Sequence, residues 1–453
     1  MFREKKSGTH GPGSFSLITL GCKSNQYDSA AMAADLGRAG LTCAELGEAD
    51  IILVNTCMVT GPTEAQCRKA IRQARRANPG AKLVVSGCMI RGAREQVAGL
   101  PEVDMILDPR RKGMLIDLLG LGSEGSDNGG WADWPEDPAV ISHSRDRAFL
   151  KIQDGCDSSC SFCIVPSVRD SSRSLEPDRV RDAVRSLMVS GYLEVVLSGV
   201  HLGQYGRDLD PPFRFEDLLR RLLEESLPGR VRLSSMEPLE ITNALVDNMK
   251  RAQGFICRHI HVPVQSGSDR ILRLMGRPYT ARDLKGCLER LKEALPGIGL
   301  GCDVICGFPG ETSGDFAMTE KILADFAIPF VHAFPYSPRP GTRAALLCDD
   351  VPYQEKKDRV RRLRSLAAEN RKAFALRQVG TVLTVALETG ARKSDDIWGV
   401  TDNYLRAAVR DQRGLRPGGL EKVYIEGVLG DALEGRPVSP SGEELGSKEQ
   451  EGG

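Results

Sequence analysis

The sequence lacks an excess of charge of either sign and any long apolar segment. Its 453 residues include 61 basic and 61 acidic side chains, so net charge neither indicates nor excludes a nucleic-acid partner. No apolar run approaches the roughly 20 residues that span a bilayer. Residues 1–15 are basic and then polar, without the apolar core of a secretion signal. We therefore expect a cytoplasmic protein with no membrane partner, whose charge-based contacts depend on local patches.

Cysteine, in contrast, is plentiful, with thirteen residues in the chain. In a reducing compartment cysteines act as ligands, reactive thiols or small buried side chains more often than as disulfides. The positions of the cysteines relative to the predicted strands are therefore the strongest indication of chemistry in this sequence.

The pattern of apolar runs predicts an α/β protein with three folded domains. Residues 14–121 are expected to form a doubly wound parallel α/β domain, and residues 146–378 a partial (βα)6 barrel. Residues 379–438 are expected to form a small antiparallel β-barrel. Residues 122–145, rich in Gly, Ser, Asp and Pro, are predicted to be a linker, and residues 439–453 a disordered tail.

The individual elements are expected where apolar runs alternate with helical periodicity. The N-terminal domain has predicted strands at 16–21, 51–56 and 82–87 and helices at 28–37 and 63–77. The central domain has predicted strands at 148–152, 193–198, 231–235, 259–264, 302–306 and 330–334, with helices between them such as 178–190 and 281–295. The last domain has predicted strands at 381–388, 404–410 and 422–428.

Three cysteines lie close together directly after the first predicted strand of the central domain. Cys156, Cys160 and Cys163 have C-x3-C-x2-C spacing, which lets a short loop wrap a compact iron–sulfur cluster. Three ligands on a four-iron cluster leave one iron open for a substrate. The alternative is a structural zinc site, but zinc motifs usually pair two C-x2-C arms and no second arm exists here. The spacing therefore favours an oxygen-sensitive cluster enzyme.

A second trio of cysteines follows three strands of the N-terminal domain. Cys22, Cys57 and Cys88 end the segments TLGC, VNTC and VSGC. Since the carboxyl ends of parallel strands share one edge of a sheet, the three thiols can converge on one cofactor. The alternative, small buried side chains at strand ends, suits each cysteine alone. The shared setting favours a second cluster, and the other seven cysteines are expected to be packing residues.

These features together resemble the radical SAM methylthiotransferase family over nearly the whole chain. The matching segments are TLGCKSNQYDS (19–29), GVHLGQYG (199–206), SSMEP (234–238), VPVQSGSD (262–269), DVICGFPGET (303–312) and FPYSPRPGT (334–342). The resemblance implies an N-terminal auxiliary-cluster domain, a radical SAM barrel and a C-terminal TRAM domain. It implies two [4Fe–4S] clusters and S-adenosyl-L-methionine (SAM) as cofactors. Cys156, Cys160 and Cys163 would hold the SAM-cleaving cluster, and the second trio the sulfur-bearing one.

Within the family, the motifs look most similar to the MtaB-type tRNA enzymes. Those add a methylthio group to C2 of N6-threonylcarbamoyladenosine beside the anticodon. The implied partners are the anticodon stem-loop of tRNA, an external electron donor and a sulfur donor. Alternatives inside the family are enzymes acting on isopentenyl-adenosine of tRNA or on a ribosomal protein aspartate. Alternatives outside it are a non-catalytic RNA-binding or electron-transfer protein with clusters, and a radical SAM enzyme that does not insert sulfur and needs one cluster.

Two residues after the triad depart from the family's usual Arg-Gly-x-x-Arg-Ser-Arg segment. Asp170 stands at the glycine, and Leu175 stands at the last arginine. A positive φ at position 170 is expected, which Asp tolerates better than most residues. An anion contact at position 175 is in doubt.

Several strand-end residues are candidates for binding SAM. They are Phe162, Ser198, Gly199, Glu237, Gln265, Asp303 and Gly307. Glycine lets the backbone approach a ligand closely, and amides or carboxylates can bond ribose hydroxyls. Each of them could equally be a satisfied polar group at a strand end.

Two basic helices are candidates for contacting RNA phosphates. One covers 355–378, with nine Lys or Arg, and the other follows Cys57 and carries Arg68, Lys69, Arg72, Arg75 and Arg76. The alternative for each is a solvated helix face. No general acid or base can be named from the sequence.

Overall fold

The computed structural model describes residues 13–121, 134–135, 137–139, 146–252, 254–389, 396–410 and 414–438. The strands are β1 (Ser14–Thr19), β2 (Thr42–Cys43), β3 (Ile51–Thr56), β4 (Lys82–Gly87), β5 (Met105–Ile106), β6 (Ala148–Lys151), β7 (Gln153–Asp154), β8 (Arg173–Ser174), β9 (Glu194–Ser198), β10 (Arg230–Leu233), β11 (His259–His261), β12 (Gly299–Cys306), β13 (Phe330–Pro335), β14 (Val382–Glu388), β15 (Asp396–Thr401), β16 (Arg406–Arg410), β17 (Leu420–Leu429) and β18 (Ala432–Pro437). The α-helices are α1 (Lys23–Arg38), α2 (Gly61–Ala77), α3 (Cys88–Gly92), α4 (Arg94–Ala98), α5 (Leu115–Leu119), α6 (Val165–Arg169), α7 (Pro177–Val189), α8 (Phe215–Glu224), α9 (Asn243–Arg251), α10 (Asp269–Leu274), α11 (Ala281–Ala294), α12 (Ser313–Asp325) and α13 (Tyr353–Leu376). Short 3-10 helices cover Pro109–Met114, Leu202–Gln204, Pro238–Glu240 and Arg343–Leu346. Among the helices so described, none is long and apolar enough to cross a membrane.

The first sheet has five parallel strands in the order β2–β1–β3–β4–β5. Its central strand β3 is buried at every position because the apolar run IILV has helices on both sides. Helix α2 begins after Thr60, whose side chain accepts a hydrogen bond from the Thr63 amide, and ends before Pro79. The reversal of strand order beside β1 is that of a doubly wound sheet, so the predicted N-terminal fold class is confirmed.

The central domain is a six-stranded parallel barrel that remains open. Strands β6–β9–β10 and β11–β12–β13 form two sheets, and single bridges from Val231 to Ile256 and from Ser235 to His261 join them. Alternate residues of β12 pack against the surrounding helices, including Cys302 and Val304, while Asp303 between them faces the interior. The predicted partial (βα)6 barrel is confirmed.

The C-terminal domain is a closed barrel in the order β14–β15–β16–β18–β17. Four of its strand pairs are antiparallel, as predicted, but β16 and β18 pair in parallel to close the ring. Strands β15 and β18 were not predicted from the sequence. Phe374 and Ala375 at the end of α13 pack into this barrel's core, so the preceding helix is part of its foundation.

This small barrel covers the floor of the central one through two buried arginines. Arg230 donates to the carbonyls of Thr384 and Val400 at 2.7 and 2.9 Å, and Arg232 donates to the carbonyls of Thr401 and Asp402 at 2.9 and 3.1 Å. Both guanidiniums also bind the buried carboxylate of Glu194. The two domains therefore share one polar interface, and removing the C-terminal barrel would leave guanidinium donors of Arg230 and Arg232 unpaired.

A second buried network joins the N-terminal domain to the barrel. Asp28 of α1 accepts hydrogen bonds from Lys151 at 2.6 Å and Arg169 at 3.3 Å, and also pairs with Lys112. Asp154 binds the same Lys151 and Arg169, each at 2.7 Å. All five side chains are buried.

The predicted linker and tail lie largely or wholly outside the described residues. Within residues 122–145, the described positions contact both neighbouring domains. Tyr27 donates to the Pro138 carbonyl at 2.8 Å, Arg179 donates to the Pro135 carbonyl at 2.7 Å, and the Lys151 ammonium is 5.1 Å from the Trp134 ring centre. The predicted disordered tail, 439–453, lies outside the described residues entirely.

Candidate active site

The C-x3-C-x2-C loop leaves the barrel at the carboxyl end of its first strand. Gly155 begins it with φ of +76°, and a side chain there would place its Cβ 1.9 Å from the Ser171 carbonyl oxygen. Only glycine fits this position. The loop then presents the three thiols, all partly exposed, at the edge of the barrel where ligands bind in this class of fold.

Backbone contacts from two distant segments fix the loop. The Ser161 amide donates to the Met275 carbonyl at 2.8 Å, and the Ala344 amide donates to the Ser161 carbonyl at 2.7 Å. Gly276 lies against the Ser159 carbonyl, which also accepts a hydrogen bond from Arg343. The thiol positions are therefore set by the barrel as a whole.

Two cationic side chains hydrogen-bond the thiols. Arg277 Nη1 lies 3.0 Å from Cys160 Sγ and pairs with Glu237 through its other nitrogen. His201 Nδ1 lies 3.4 Å from Cys156 Sγ, and its Nε2 lies 2.8 Å from Glu240. Donors to cluster sulfurs are the means by which proteins hold and tune such clusters. The sequence shows the motif that contains His201, but it does not predict these contacts.

Burial and the hydrogen bonds made by His201 change the pKa values of the groups in and around this loop. Burial alone would raise the pKa of Cys156, but the hydrogen bonds from His201 and Ser158 outweigh it and lower the pKa. Burial alone would lower the pKa of His201, but its bonds to Cys156 and Glu240 raise it to about 10. Burial raises the pKa of Cys163 to about 12. A thiolate at Cys156 is thus favoured by its own surroundings.

The spacing of the thiols fits a cluster better than a single ion. A tetrahedral zinc with bonds of about 2.3 Å brings its thiolates within about 3.8 Å of one another. Over the described ranges, the one trio of His, Cys, Asp or Glu ligand atoms mutually within 4.8 Å is His261, Asp303 and His332. The cysteine trios are more widely spaced. All thirteen thiols are free of disulfides, so the donor set suits a four-iron cluster with one open iron.

The second trio lies at one edge of the N-terminal sheet, as the strand pattern predicted. Cys22, Cys57 and Cys88 each follow one of three adjacent strands, β1, β3 and β4, and Cys88 is the first residue of α3. At Gly21 a Cβ would lie 2.9 Å from the Cys57 sulfur. Burial, with a contribution from the nearby thiols of Cys88 and Cys22, raises the pKa of Cys57 to about 12. The three thiols are close enough to influence one another's pKa, which is the placement that a shared cofactor requires.

A fourth cysteine supports this trio. Cys67 of α2 is buried in the domain core, as expected of a packing residue. In addition, the Cys57 amide donates to Cys67 Sγ and Cys67 Sγ donates to the Cys57 carbonyl, both at 3.3 Å. Cys67 thereby fixes the backbone of a candidate ligand, a role that its sequence position did not reveal.

Arg169 connects the two trios. It donates to Asp154, two residues before Cys156, at 2.7 Å and to Asn25 in the first turn of α1, three residues after Cys22. Burial raises the pKa of Cys88, while the charge of Arg169 and a hydrogen bond from it act in the opposite direction. One guanidinium therefore positions parts of both sites.

Three of the seven candidate SAM residues lie where a ligand could meet them. Gln265 has φ of +58°, and its buried Oε1 has no hydrogen-bond partner in the described structure. Phe162 packs against the cluster that contains Met275 and Phe308. Glu237 lies next to Arg277, and burial raises its pKa despite that partner. A buried amide oxygen without a donor is what a polar ligand such as SAM would satisfy.

The other four candidates contact protein groups. Ser198 donates to the Leu150 carbonyl at 3.3 Å, and Gly199 packs against Gln153. Asp303 pairs with two histidines. Gly307 has φ of +71° and packs against the Lys356 side chain. Their roles in SAM binding stay predictions.

The two departures from the family segment have clear structural roles. Asp170 has φ of +66°, as expected from a glycine position, and pairs with Arg91 and Arg110 of the N-terminal domain. Leu175 is buried in the barrel core, and its amide donates to the Ile152 carbonyl at 2.9 Å. An anion contact at position 175 is therefore absent from this chain.

The basic helices differ in how many of their cations are engaged. On α13, most basic side chains pair with protein groups, including the buried Lys356 and Arg359. On α2, Arg75 binds Asp104 and the Glu102 carbonyl, while Arg68 binds Glu64. Lys69, Arg72, Gln73 and Arg76 line one shallow surface depression on α2. This surface is the better candidate for phosphate contacts.

Comparison with known proteins agrees with this architecture. Residues 14–108 match the model of Uncharacterized protein family UPF0004, and residues 150–323 match that of the Radical SAM superfamily. The chain is 34% identical over 405 residues to the threonylcarbamoyladenosine tRNA methylthiotransferase MtaB of Bacillus subtilis, covering 86% of this chain and 89% of that protein. It is 31% identical to the MtaB of Thermotoga maritima, covering 93% and 98%. It is also 31% identical to a tRNA-2-methylthio-N(6)-dimethylallyladenosine synthase of Christiangramia forsetii, covering 94% of each chain.

Among solved structures, the fold resembles the radical SAM methyltransferase TsrM from Kitasatospora setae. The TM-score is 0.55 at 15% identity, with 74% of this chain and 77% of that one covered. A partial (βα)6 barrel with a cysteine triad after its first strand defines a radical SAM enzyme, which implies SAM and a [4Fe–4S] cluster as cofactors. Together with its N-terminal thiol-bearing domain and the relatives above, the chain belongs to the radical SAM methylthiotransferase family.

Proposed function

We propose that this chain transfers a methylthio group to C2 of N6-threonylcarbamoyladenosine next to the anticodon of tRNA. The observation that carries the proposal is the placement of two thiol trios, on two domains, held in one arrangement by Arg169. The relatives named for this reaction match over most of their length. The tRNA partner follows from those relatives.

The chemistry requires a radical enzyme. The C2–H bond of adenine is not activated toward bases or nucleophiles. When bound, the SAM and the cluster supply a primary carbon radical that can remove this hydrogen. The chain's own residues bind, orient and shield: Cys156, Cys160 and Cys163 ligate, while Arg277 and His201 hold two of those sulfurs.

The N-terminal trio is proposed to hold a second [4Fe–4S] cluster, which carries the sulfur to be transferred. Cys22, Cys57 and Cys88 are its ligands, and Cys67 keeps the Cys57 backbone in place. The proposed domain bounds are those of the sequence analysis: 14–121, 146–378 and 379–438. An external electron donor and a sulfur donor complete the partners, as each turnover consumes both.

The anticodon stem-loop is proposed to contact the surface depression on α2. Lys69, Arg72 and Arg76 line it, and Arg72 lies 3.9 Å from its nearest carboxylate, that of Glu102. Cationic side chains on an open surface without a close ion pair can bind RNA phosphates. Lys69, Arg72 and Arg76 lie in the second half of α2, the helix that follows Cys57.

A second candidate is the same reaction on isopentenyl-adenosine. Relatives named tRNA-2-methylthio-N(6)-dimethylallyladenosine synthase match at similar identity. Mass spectrometry of tRNA nucleosides separates the two. The gene is expressed in a strain without its own tRNA methylthiotransferases, and digested tRNA is analysed with and without it.

We expect 2-methylthio-N6-threonylcarbamoyladenosine to appear and to be lost in Cys156→Ala. The matched control is Cys287→Ala, because Cys287 is a buried cysteine of α11 away from both trios. Methylthio on isopentenyl-adenosine instead would transfer the assignment to the second candidate. Intact clusters with no modified nucleoside would contradict both and point to a protein substrate.

The second cluster has its own test. Anaerobically reconstituted protein should hold about eight iron atoms per chain, and the triple variant at Cys22, Cys57 and Cys88 about four. The Cys287→Ala control should keep the full content. Unchanged iron in the triple variant would refute the second site.

A further inference from the structure

Several buried polar atoms on the inner wall of the barrel lack partners. Within the described structure, Ser234 Oγ and both ring nitrogens of His259 have no hydrogen bond. The two side chains are 8% and 5% exposed. Their neighbours Leu233 and Ile260 pack outward against the helices, so Ser234 and His259 face the lumen. Buried polar groups are nearly always satisfied, which indicates that a ligand completes this wall.

A further cation, Lys23, lies in the same space. Lys23 follows the candidate ligand Cys22, and in the described part of the chain its ammonium makes no hydrogen bond or ion pair. Its electrostatic neighbours are Arg232, Arg147 and Glu194 at the barrel floor. His259 also has Lys23 among its charged neighbours. Lys23 therefore extends from the N-terminal trio into the lumen.

The floor of the lumen carries more positive than negative charge. Arg147, Arg230 and Arg232 surround Glu194, and Arg147 also reaches Glu388, so three guanidiniums face two carboxylates. Lys23 adds a further cation that none of these carboxylates pairs. Buried charge is costly unless an opposite charge accompanies it. An anionic group on a ligand, with polar atoms beside it that can hydrogen-bond Ser234 and His259, would balance this excess of positive charge.

The two candidate substrates differ in this respect. The N6-threonylcarbamoyl group ends in a carboxylate and a hydroxyl, whereas an isopentenyl group carries neither. We propose that Lys23, together with Ser234 and His259, binds the carboxylate-bearing N6 substituent of the adenosine and so selects the substrate. This inference rests on the proposed function and names the residues that give that site its specificity.

The test compares binding of three anticodon stem-loop RNAs. They carry N6-threonylcarbamoyladenosine, the same group with its carboxylate converted to an amide, or unmodified adenosine. Affinities are measured anaerobically by fluorescence anisotropy with the reconstituted enzyme. The variants are Lys23→Met and Lys23→Arg, and the matched control is Lys82→Met, on the exposed first position of β4.

Wild-type enzyme should bind the carboxylate RNA about ten- to a hundredfold tighter than the amide RNA, the range of a hydrogen bond to a charged group. Lys23→Met should abolish this preference without changing affinity for unmodified RNA, iron content or the Kd for SAM. Lys23→Arg should keep part of the preference, and Lys82→Met all of it. The amide RNA tests the contact on wild-type protein even if Lys23→Met fails to fold.

Three results would overturn the inference. Equal weakening of all three RNAs would make Lys23 a general phosphate contact. A raised Kd for SAM would assign the anion to SAM. An unchanged preference in Lys23→Met would exclude the residue. Failure of the proposed function looks different, since wild-type enzyme would then methylthiolate isopentenyl-adenosine or no RNA at all.

Discussion

Replacing Asp28 by Asn tests whether the buried charge network holds the N-terminal domain on the barrel. Asp28 is 1% exposed and faces Lys112, Lys151 and Arg169, with Lys151 Nζ at 2.6 Å. In the unsubstituted protein, two carboxylates (Asp28 and Asp154) face these three cations. The substitution leaves Asp154 as the single carboxylate. Removing one partner of a buried ion pair costs about 3–5 kcal/mol, a large share of the roughly 5–15 kcal/mol that stabilises a domain.

The assay is urea unfolding of the apoprotein under anaerobic conditions, followed by tryptophan fluorescence. Trp134 is a suitable reporter because its ring lies 5.1 Å from the Lys151 ammonium within this interface. We expect a lower transition midpoint and, after reconstitution, reduced iron loading, because Arg169 loses one of the groups that orient it toward Cys88.

The control is Asp325→Asn on α12. Asp325 pairs at 3.0 Å with the exposed Lys321 one turn away, a type of pair worth about 0–1 kcal/mol. A loss at Asp28 no larger than at Asp325 would refute the view that this network fixes the domains.

Three further perturbations test the RNA surface, the first cluster loop and the buried carboxylates. Lys69→Glu with Arg76→Glu should weaken tRNA binding and reduce the slope of log affinity against log salt by about one for each phosphate that the variant no longer binds, whereas an unchanged slope would exclude the α2 surface. Gly155→Ala should prevent loading of the first cluster, measured as iron and visible absorbance, because its Cβ would lie 1.9 Å from a carbonyl oxygen; full loading would contradict this. Surrounding cations hold the pKa values of Asp28 and Glu194 below their usual range, although burial acts in the opposite direction. Their stabilisation is therefore present above the unfolded pKa of about 4 and lost as pH falls further, so apoprotein unfolding free energy should decline below about pH 4 and Glu194→Gln should show a smaller decline.

The elements that the sequence predicted well are those with long branched apolar runs. Strand β3 matches its predicted bounds because every residue is buried. Strands β15 and β18 were missed because DIWGVT and ALEGRP contain glycine and charged residues and lack clear alternation. Helix α1 begins five residues earlier than predicted, since its first turn is polar yet buried against the cysteine turn.

The candidate cluster ligands could be predicted from the sequence, whereas the residues that hydrogen-bond them could not. Cys156, Cys160 and Cys163 follow one strand at a local spacing, and the second trio repeats one strand-end setting. The groups that hold them come from far along the chain: Arg277 lies 117 residues from Cys160, and His201 lies 45 residues from Cys156. No local pattern encodes such pairs. They depend on the barrel bringing several strand ends together.

The incomplete barrel explains why three domains form one working unit. Six strands leave a side and a floor uncovered, and both surfaces present buried cations beside apolar residues. The N-terminal domain meets the side with Asp28, and the C-terminal barrel meets the floor with four backbone carbonyls. Buried polar groups need matching partners. The ion pairs and hydrogen bonds at these interfaces therefore fix the relative positions of the domains as well as stabilising them. Among the residues that the structure describes, the same arrangement leaves Lys23 without a carboxylate at ion-pair distance between the covered side and the covered floor, where a charged substituent of the substrate can supply the anion.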